Sequence, residues 1–159
     1  MVGVSIQNLT RRGGVPRFAY AAIAKSVLPG WDLSLVFVTP AKARALNKKL
    51  RGKSYVPNVL SYALENKSGE IIICPSEAKK QAPAYGMSTR TFILYLFIHG
   101  TLHLKGWAHG ARMEKCERTL LARFAKGNVR DYLNETTHSH RHRHRDLPGK
   151  DSRHRGTLG

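Results

Sequence analysis

The segment "STRTFILYLFIHGTLHLKG" carries apolar residues around its whole helical circumference rather than on one face. It therefore predicts a helix buried at the centre of a domain, with Ser88 as its N-cap. The pattern changes on either side of it. "VGVSIQN" near the start reads as a short strand, and "DLSLVFVT" alternates and is rich in β-branched residues, as a strand does. "NVLSYAL" and "GEIIIC" predict two more strands, separated by the turn-prone "ENKSG". "VPRFAYAAIAKSVL" predicts a helix with Phe18, Ala22 and Val27 near one face, ended by Pro29-Gly30. "PAKARALNKKLRG" predicts another, with Pro40 in its first turn and Gly52 after its end. A third starts in "PSEAKKQAPAYG" and stops at Pro83, where proline breaks the ladder. "ARMEKCERTLLARFAK" predicts an amphipathic helix with Met113, Cys116, Leu120 and Phe124 inward.

These elements predict a single α/β (α+β) domain over residues 1–134: a mixed sheet of about four strands surrounded by helices. No internal repeat interrupts it. From 135 to 159 the chain has almost nothing to bury, which predicts a disordered, basic His/Arg-rich tail. A chain of 159 residues that is 42% hydrophobic can bury a real core. Cys74 and Cys116 belong to no paired-cysteine motif, which predicts reduced thiols and a cytoplasmic setting, with ordinary packing as the simpler account of both. The opening "MVGVSIQNLTRR" lacks the apolar core of a signal peptide, and "FILYLFI" is too short to span a bilayer.

Charge changes the picture more than any other property. Lys and Arg number 27 against 10 Asp and Glu; residues 136–159 hold six and two of these, so the compact part keeps a net +13. Such an excess points to a polyanionic partner, with nucleic acid the usual one. An anionic membrane surface would call for an amphipathic basic helix with exposed aromatics, and none is evident. A merely soluble cation is the plain alternative.

The candidate chemistry lies in "HGTLHLKGWAH", which holds all the histidines of the compact part. On a helix His99 and His103 sit about 40° apart and roughly 6 Å along the axis, stacked on one face. His109 would point away if the helix continued, but Gly106 is placed to end it and swing His109 back. Three neutral imidazoles with an open fourth position describe a catalytic zinc site rather than a closed structural one. The spacing is also that of metzincin proteases, with Gly100 where their general-base glutamate stands. Peptide hydrolysis would lack its proton acceptor.

The same string resembles the H-G-x-L-H-L-x-G-[YW]-D-H signature of the YbeY family, bacterial metal-dependent endoribonucleases associated with ribosomal RNA maturation. The matching positions are His99, Gly100, Leu102, His103, Leu104, Gly106, Trp107 and His109. A second block, L-N-x-x-[YF]-R-x-K followed by V-L-S-F, is similar to "LNKKLRGKSYVPNVLSY", through Leu46, Asn47, Arg51, Lys53, Val59, Leu60 and Ser61. A third, G-D-I-x-I, resembles "GEIII". The chain departs from the pattern at Ala108 (aspartate in the family), Glu70 (aspartate) and Pro57 (threonine).

The resemblance implies one Zn2+ ion held by His99, His103 and His109, and RNA as substrate, with ribosomal proteins or ribosome-associated GTPases as further partners. It implies Arg51 as the cation that stabilises charge on the phosphoryl group, since guanidinium matches phosphate in a bidentate fashion. Without it, Arg51 reads as a helix-end arginine facing the dipole. Glu70 is either an orienting group or a surface carboxylate at a strand end. Asn58 and Ser61 either hydrogen-bond the substrate backbone or belong to an ordinary edge strand. Two functions remain open: a single-zinc endoribonuclease acting on single-stranded or flexible ribosomal RNA, and a zinc-stabilised RNA-binding assembly factor with little catalysis, which Ala108 favours. The tail is either a solvated extension or a basic arm contacting phosphates.

Overall fold

The structure, a computed structural model, describes residues 3–11 and 15–125; the predicted tail lies outside them. Four strands form one mixed sheet in the order β1-β2-β4-β3. β1 (Gly3–Asn8), β2 (Asp32–Phe37) and β4 (Ser68–Ile73) run parallel, and β3 (Val59–Ala63) closes the far edge antiparallel to β4. The central strands β2 and β4 end in continuous buried runs, Leu35-Val36-Phe37 and Ile71-Ile72-Ile73, as strands covered on both faces do. Residues Asn66 and Lys67 turn the β3–β4 hairpin with positive φ.

Side-chain alternation sorts the sheet into two faces. Leu33, Leu35, Phe37, Val59, Ile71 and Ile73 point into the larger core, shared with α1 (Tyr20–Val27), α4 (Thr89–Leu104) and α5 (Ala111–Phe124). Val36, Val38, Leu60, Ile72 and Cys74 face the other way, against Ala43 and Leu46 of α2 (Pro40–Arg51). α3 (Pro75–Gln81) and a 3-10 turn (Ala82–Tyr85) lead from β4 to α4.

α4 is the predicted central helix. Every residue from Thr91 to Leu102 is buried, and only His103 and Leu104 at its C-terminal end are half-exposed. Ser88 caps it, its hydroxyl accepting from the Thr91 amide at 3.1 Å; a cap of this kind contributes about 1 kcal/mol. Gly100 explains how the helix lies so close to the sheet: a Cβ there would stand 3.3 Å from the Ile71 side chain. The glutamate of the protease motif would have to displace the Ile71 side chain there.

Three expectations are corrected. The first helix begins at Tyr20 rather than Val15: the Tyr20 amide bonds the Phe18 carbonyl (2.8 Å), and the Pro16 carbonyl accepts from the Tyr20 hydroxyl (2.8 Å). Its inward face is Tyr20, Ile23, Ala24 and Val27, so Ala22 is exposed. On α5, Cys116 and Phe124 are only half-buried; Glu117 and Leu121 occupy the inward face with Met113 and Leu120.

Candidate metal centre

α4 delivers His99 and His103 one turn apart, and its end delivers His109. At Gly106 (φ +94°) the chain reverses: the Gly106 amide bonds the His103 carbonyl (2.9 Å) and the Trp107 amide bonds the Leu102 carbonyl (3.1 Å). Only glycine adopts that φ without strain. The reversal brings His109 back, with ring centroids 5.1 Å from His99 and 4.6 Å from His103, while His99 and His103 are 4.4 Å apart. One ring nitrogen from each of the three lies within 4.8 Å of the others, an arrangement that could hold a metal ion. His99 is buried and the other two half-buried, so the cluster opens to solvent on one side.

The donor set fits a cation. His99 Nδ1 lies 2.7 Å from Glu117 Oε1, both side chains being buried. A carboxylate accepts, so Nδ1 carries the hydrogen and Nε2 is bare. His103 Nδ1 lies 3.1 Å from the Trp107 carbonyl oxygen, which can only accept, so its Nε2 is bare as well. The two Nε2 atoms then face each other at 3.0 Å, lone pair against lone pair, a repulsion that one shared cation converts into attraction. Burial first, then the neighbouring His99, lowers the His103 pKa to about 4, against a raising effect of the Trp107 carbonyl. The imidazole thus stays neutral, the form that binds metal, at ordinary pH. The Arg112 guanidinium, 4.2 Å over the Trp107 ring, pins the turn that supplies the carbonyl.

Glu117 is the functional residue that the linear sequence concealed. It stands 18 positions beyond His99, and the signal for it was a carboxylate on the inward stripe Met113, Glu117, Leu120, Leu121 of an amphipathic helix. Exchanging Glu117 for Gln keeps the shape and removes the charge. It should weaken metal affinity by about 10- to 100-fold, measured by competition with a chelating dye. Unchanged affinity would make Glu117 a packing group only.

The other expected residues make their contacts with groups other than the histidines. Arg51, at the end of α2, donates from Nη1 to the Tyr55 hydroxyl (3.2 Å). Glu70 sits on the sheet face away from α4, since its neighbour Ile71 is the one packed against Gly100; its Oε2 accepts from Tyr62 at 2.6 Å, and burial, then this bond, pushes the Tyr62 pKa up. That placement removes Glu70 as an orienting group for the histidines, a task Glu117 performs. Asn58 is buried beside β3, its Nδ2 donating to Gln81 Oε1 (2.6 Å) and its carbonyl accepting from the Cys74 amide (3.0 Å). Ser61, half-buried and paired in register with Ile71, shares the α4 face of the edge strand. Ala108 is exposed, so the family's missing aspartate does not disturb the core.

The family model for Endoribonuclease YbeY matches residues 11–125, the whole of this architecture apart from β1. The chain belongs to the YbeY family. It is 35% identical over 123 residues to Endoribonuclease YbeY of Neisseria meningitidis serogroup B, covering 67% of this chain and 72% of that one. To the Geobacillus kaustophilus YbeY it is 37% identical over 120 residues (66% and 76%), and to that of Stenotrophomonas maltophilia 31% over 140 residues (75% and 87%). The solution structure of TM1509 from Thermotoga maritima shares the fold: TM-score 0.54, 19% identity, covering 84% of this chain and 91% of that one. An endoribonuclease role follows from membership of the family. Among the described residues, no helix is long and apolar enough to cross a membrane.

Proposed function

We propose that this YbeY-family protein is a single-zinc endoribonuclease that cuts single-stranded or flexible ribosomal RNA in the cytoplasm, during ribosome biogenesis. The observation that carries this reading is the pair of bare Nε2 atoms 3.0 Å apart on His99 and His103, each fixed by a partner on its Nδ1. Bound there with His109, zinc would supply a Lewis acid able to draw electron density from a phosphate oxygen and from water.

The chain's own groups do the rest. Glu117 holds the His99 proton on Nδ1 and so keeps Nε2 aimed at the cluster. The Trp107 carbonyl does the same for His103. Arg51 is the cation for the phosphoryl charge that develops during cleavage, and its bond to Tyr55 preorganises the guanidinium. Ser61, half-buried on the α4 side of the edge strand, would meet the RNA backbone; Asn58, buried and bonded to Gln81, would act only by fixing the start of that strand, and Glu70 only from the opposite face. Ribosomal proteins or ribosome-associated GTPases are the expected neighbours at such a substrate.

Ala108 favours a second reading, a zinc-stabilised RNA-binding assembly factor, because it removes a carboxylate next to His109 at the exposed side of the cluster. Zinc-loaded protein incubated with single-stranded RNA, beside His103→Ala, separates the two. Internal cuts made by the wild type and lost in the variant support the nuclease. Binding without cuts by both supports the assembly factor, and Ala108→Asp then tests whether the carboxylate restores cleavage.

A further inference from the structure

From Leu33 to Leu64 the chain contains no Asp or Glu, and the six cations in that stretch are Lys42, Arg44, Lys48, Lys49, Arg51 and Lys53. Five of them stand on α2, whose buried side, Ala43 and Asn47 with half-buried Leu46 and Leu50, covers the sheet face away from the histidines. Lys42, Arg44, Lys48 and Lys49 are all exposed. At 100° per residue, Arg44, Lys48 and Arg51 fall within about 60° of one another, and Lys42 and Lys49 within about 20°. Exposed Ala41 and Ala45 lie between the two rows. The solvent half of the helix is therefore two tracks of positive charge beside a smooth strip.

Lys48, Lys49 and Arg51 in the last turn suit the helix dipole, but two features of the pattern are unfavourable for the free chain. Arg44 and Lys48 are like charges at i,i+4. The first turn holds no acidic residue, and Lys42 stands near the positive end of the helix dipole. A helix selected only to cover the sheet would gain by carrying carboxylates there. A polyanion laid along the face removes the repulsion. At the far end of the helix Tyr55 is 40% exposed and held by Arg51, an aromatic face next to the positive rows on which a base can stack.

We infer that the solvent face of α2, through Lys42, Arg44, Lys48 and Lys49, is a docking surface for the phosphate backbone of single-stranded RNA, separate from the histidine cluster and across the sheet from it. The inference rests on the RNA reading above and extends it. RNA held on α2 follows the chain past Tyr55 to the edge strand β3, whose other face meets α4. Long RNA thus gains affinity over a short oligonucleotide confined to the histidines.

The test compares full-length wild type with the quadruple variant Lys42→Gln, Arg44→Gln, Lys48→Gln, Lys49→Gln, and with a control variant Lys25→Gln, Lys79→Gln, Lys115→Gln, Arg123→Gln. All eight positions are exposed, and glutamine is a good helix former. Binding of a fluorescent single-stranded 2′-O-methyl RNA of about 30 nucleotides is measured from about 50 to 200 mM salt. Four phosphate contacts at about 0.7 each predict that the wild type loses about 50-fold more affinity across that range than the α2 variant does. The control variant should keep a slope close to the wild type's. Equal slopes for wild type and α2 variant overturn the docking surface alone. No RNA binding by any of the three overturns both it and the RNA reading. Loss of binding to phosphatidylserine vesicles, with RNA binding intact, overturns it in favour of a membrane surface.

Discussion

Alanine at His99, His103 or His109 is expected to abolish zinc binding. A chain ending at Asn134, free of the five tail histidines, is expected to retain about one equivalent after dialysis, and each of the three variants less than about a tenth of that. The size of the effect follows from the ligand count. Three imidazoles leave a fourth position open, so removing one drops the protein-supplied ligands to two, too few to hold the ion against a chelator. His99 should be the most damaging loss: its ring is 4% exposed, and removing it also leaves the buried Glu117 carboxylate without its 2.7 Å partner. Thermal unfolding read alongside metal content separates the two effects, because His103→Ala and His109→Ala remove half-exposed rings and should unfold near the apo wild type. Full zinc retention in all three variants would overturn the assignment of the site.

Replacing Arg51 by Ala is expected to slow RNA cleavage by about 10²-fold or more while zinc stays bound. The guanidinium is half-exposed at the end of α2 and bonds Tyr55 rather than a histidine, so zinc should stay bound without it. Arg51→Lys keeps the charge without the bidentate fork and should recover only part of the rate. Single-turnover cleavage with saturating RNA, beside zinc analysis of the same samples, checks this. Equal rates for wild type and Arg51→Ala would return Arg51 to a helix-end cation.

Much of this was legible in the sequence because the signals were local. Gly106 announced the turn that returns His109, Pro40 and Gly52 bounded α2, and the all-round apolar character of residues 92–98 placed α4 at the centre. What stayed hidden depended on tertiary partners. Glu117 looked like one more polar residue on an amphipathic helix, and only the packing of α5 on α4 turns it toward His99. Glu70 looked close to the site through its motif, but strand alternation puts it on the opposite face, and no single-strand pattern says which face α4 will cover. α1 starts only at Tyr20, whose amide bonds Phe18 and whose hydroxyl bonds Pro16, contacts that helix propensity does not encode.

Whether the histidine cluster is a zinc site required for RNA cleavage is tested most directly by the cleavage rate of single-stranded RNA by metal-stripped protein, ending at Asn134, as zinc is added in sub-stoichiometric steps. Cleavage should be absent at the start, rise in proportion to added zinc and level off near one equivalent, with His103→Ala flat throughout. A stripped protein that cuts RNA as fast as the reloaded one, or a His103→Ala variant that responds to zinc as the wild type does, would contradict the account.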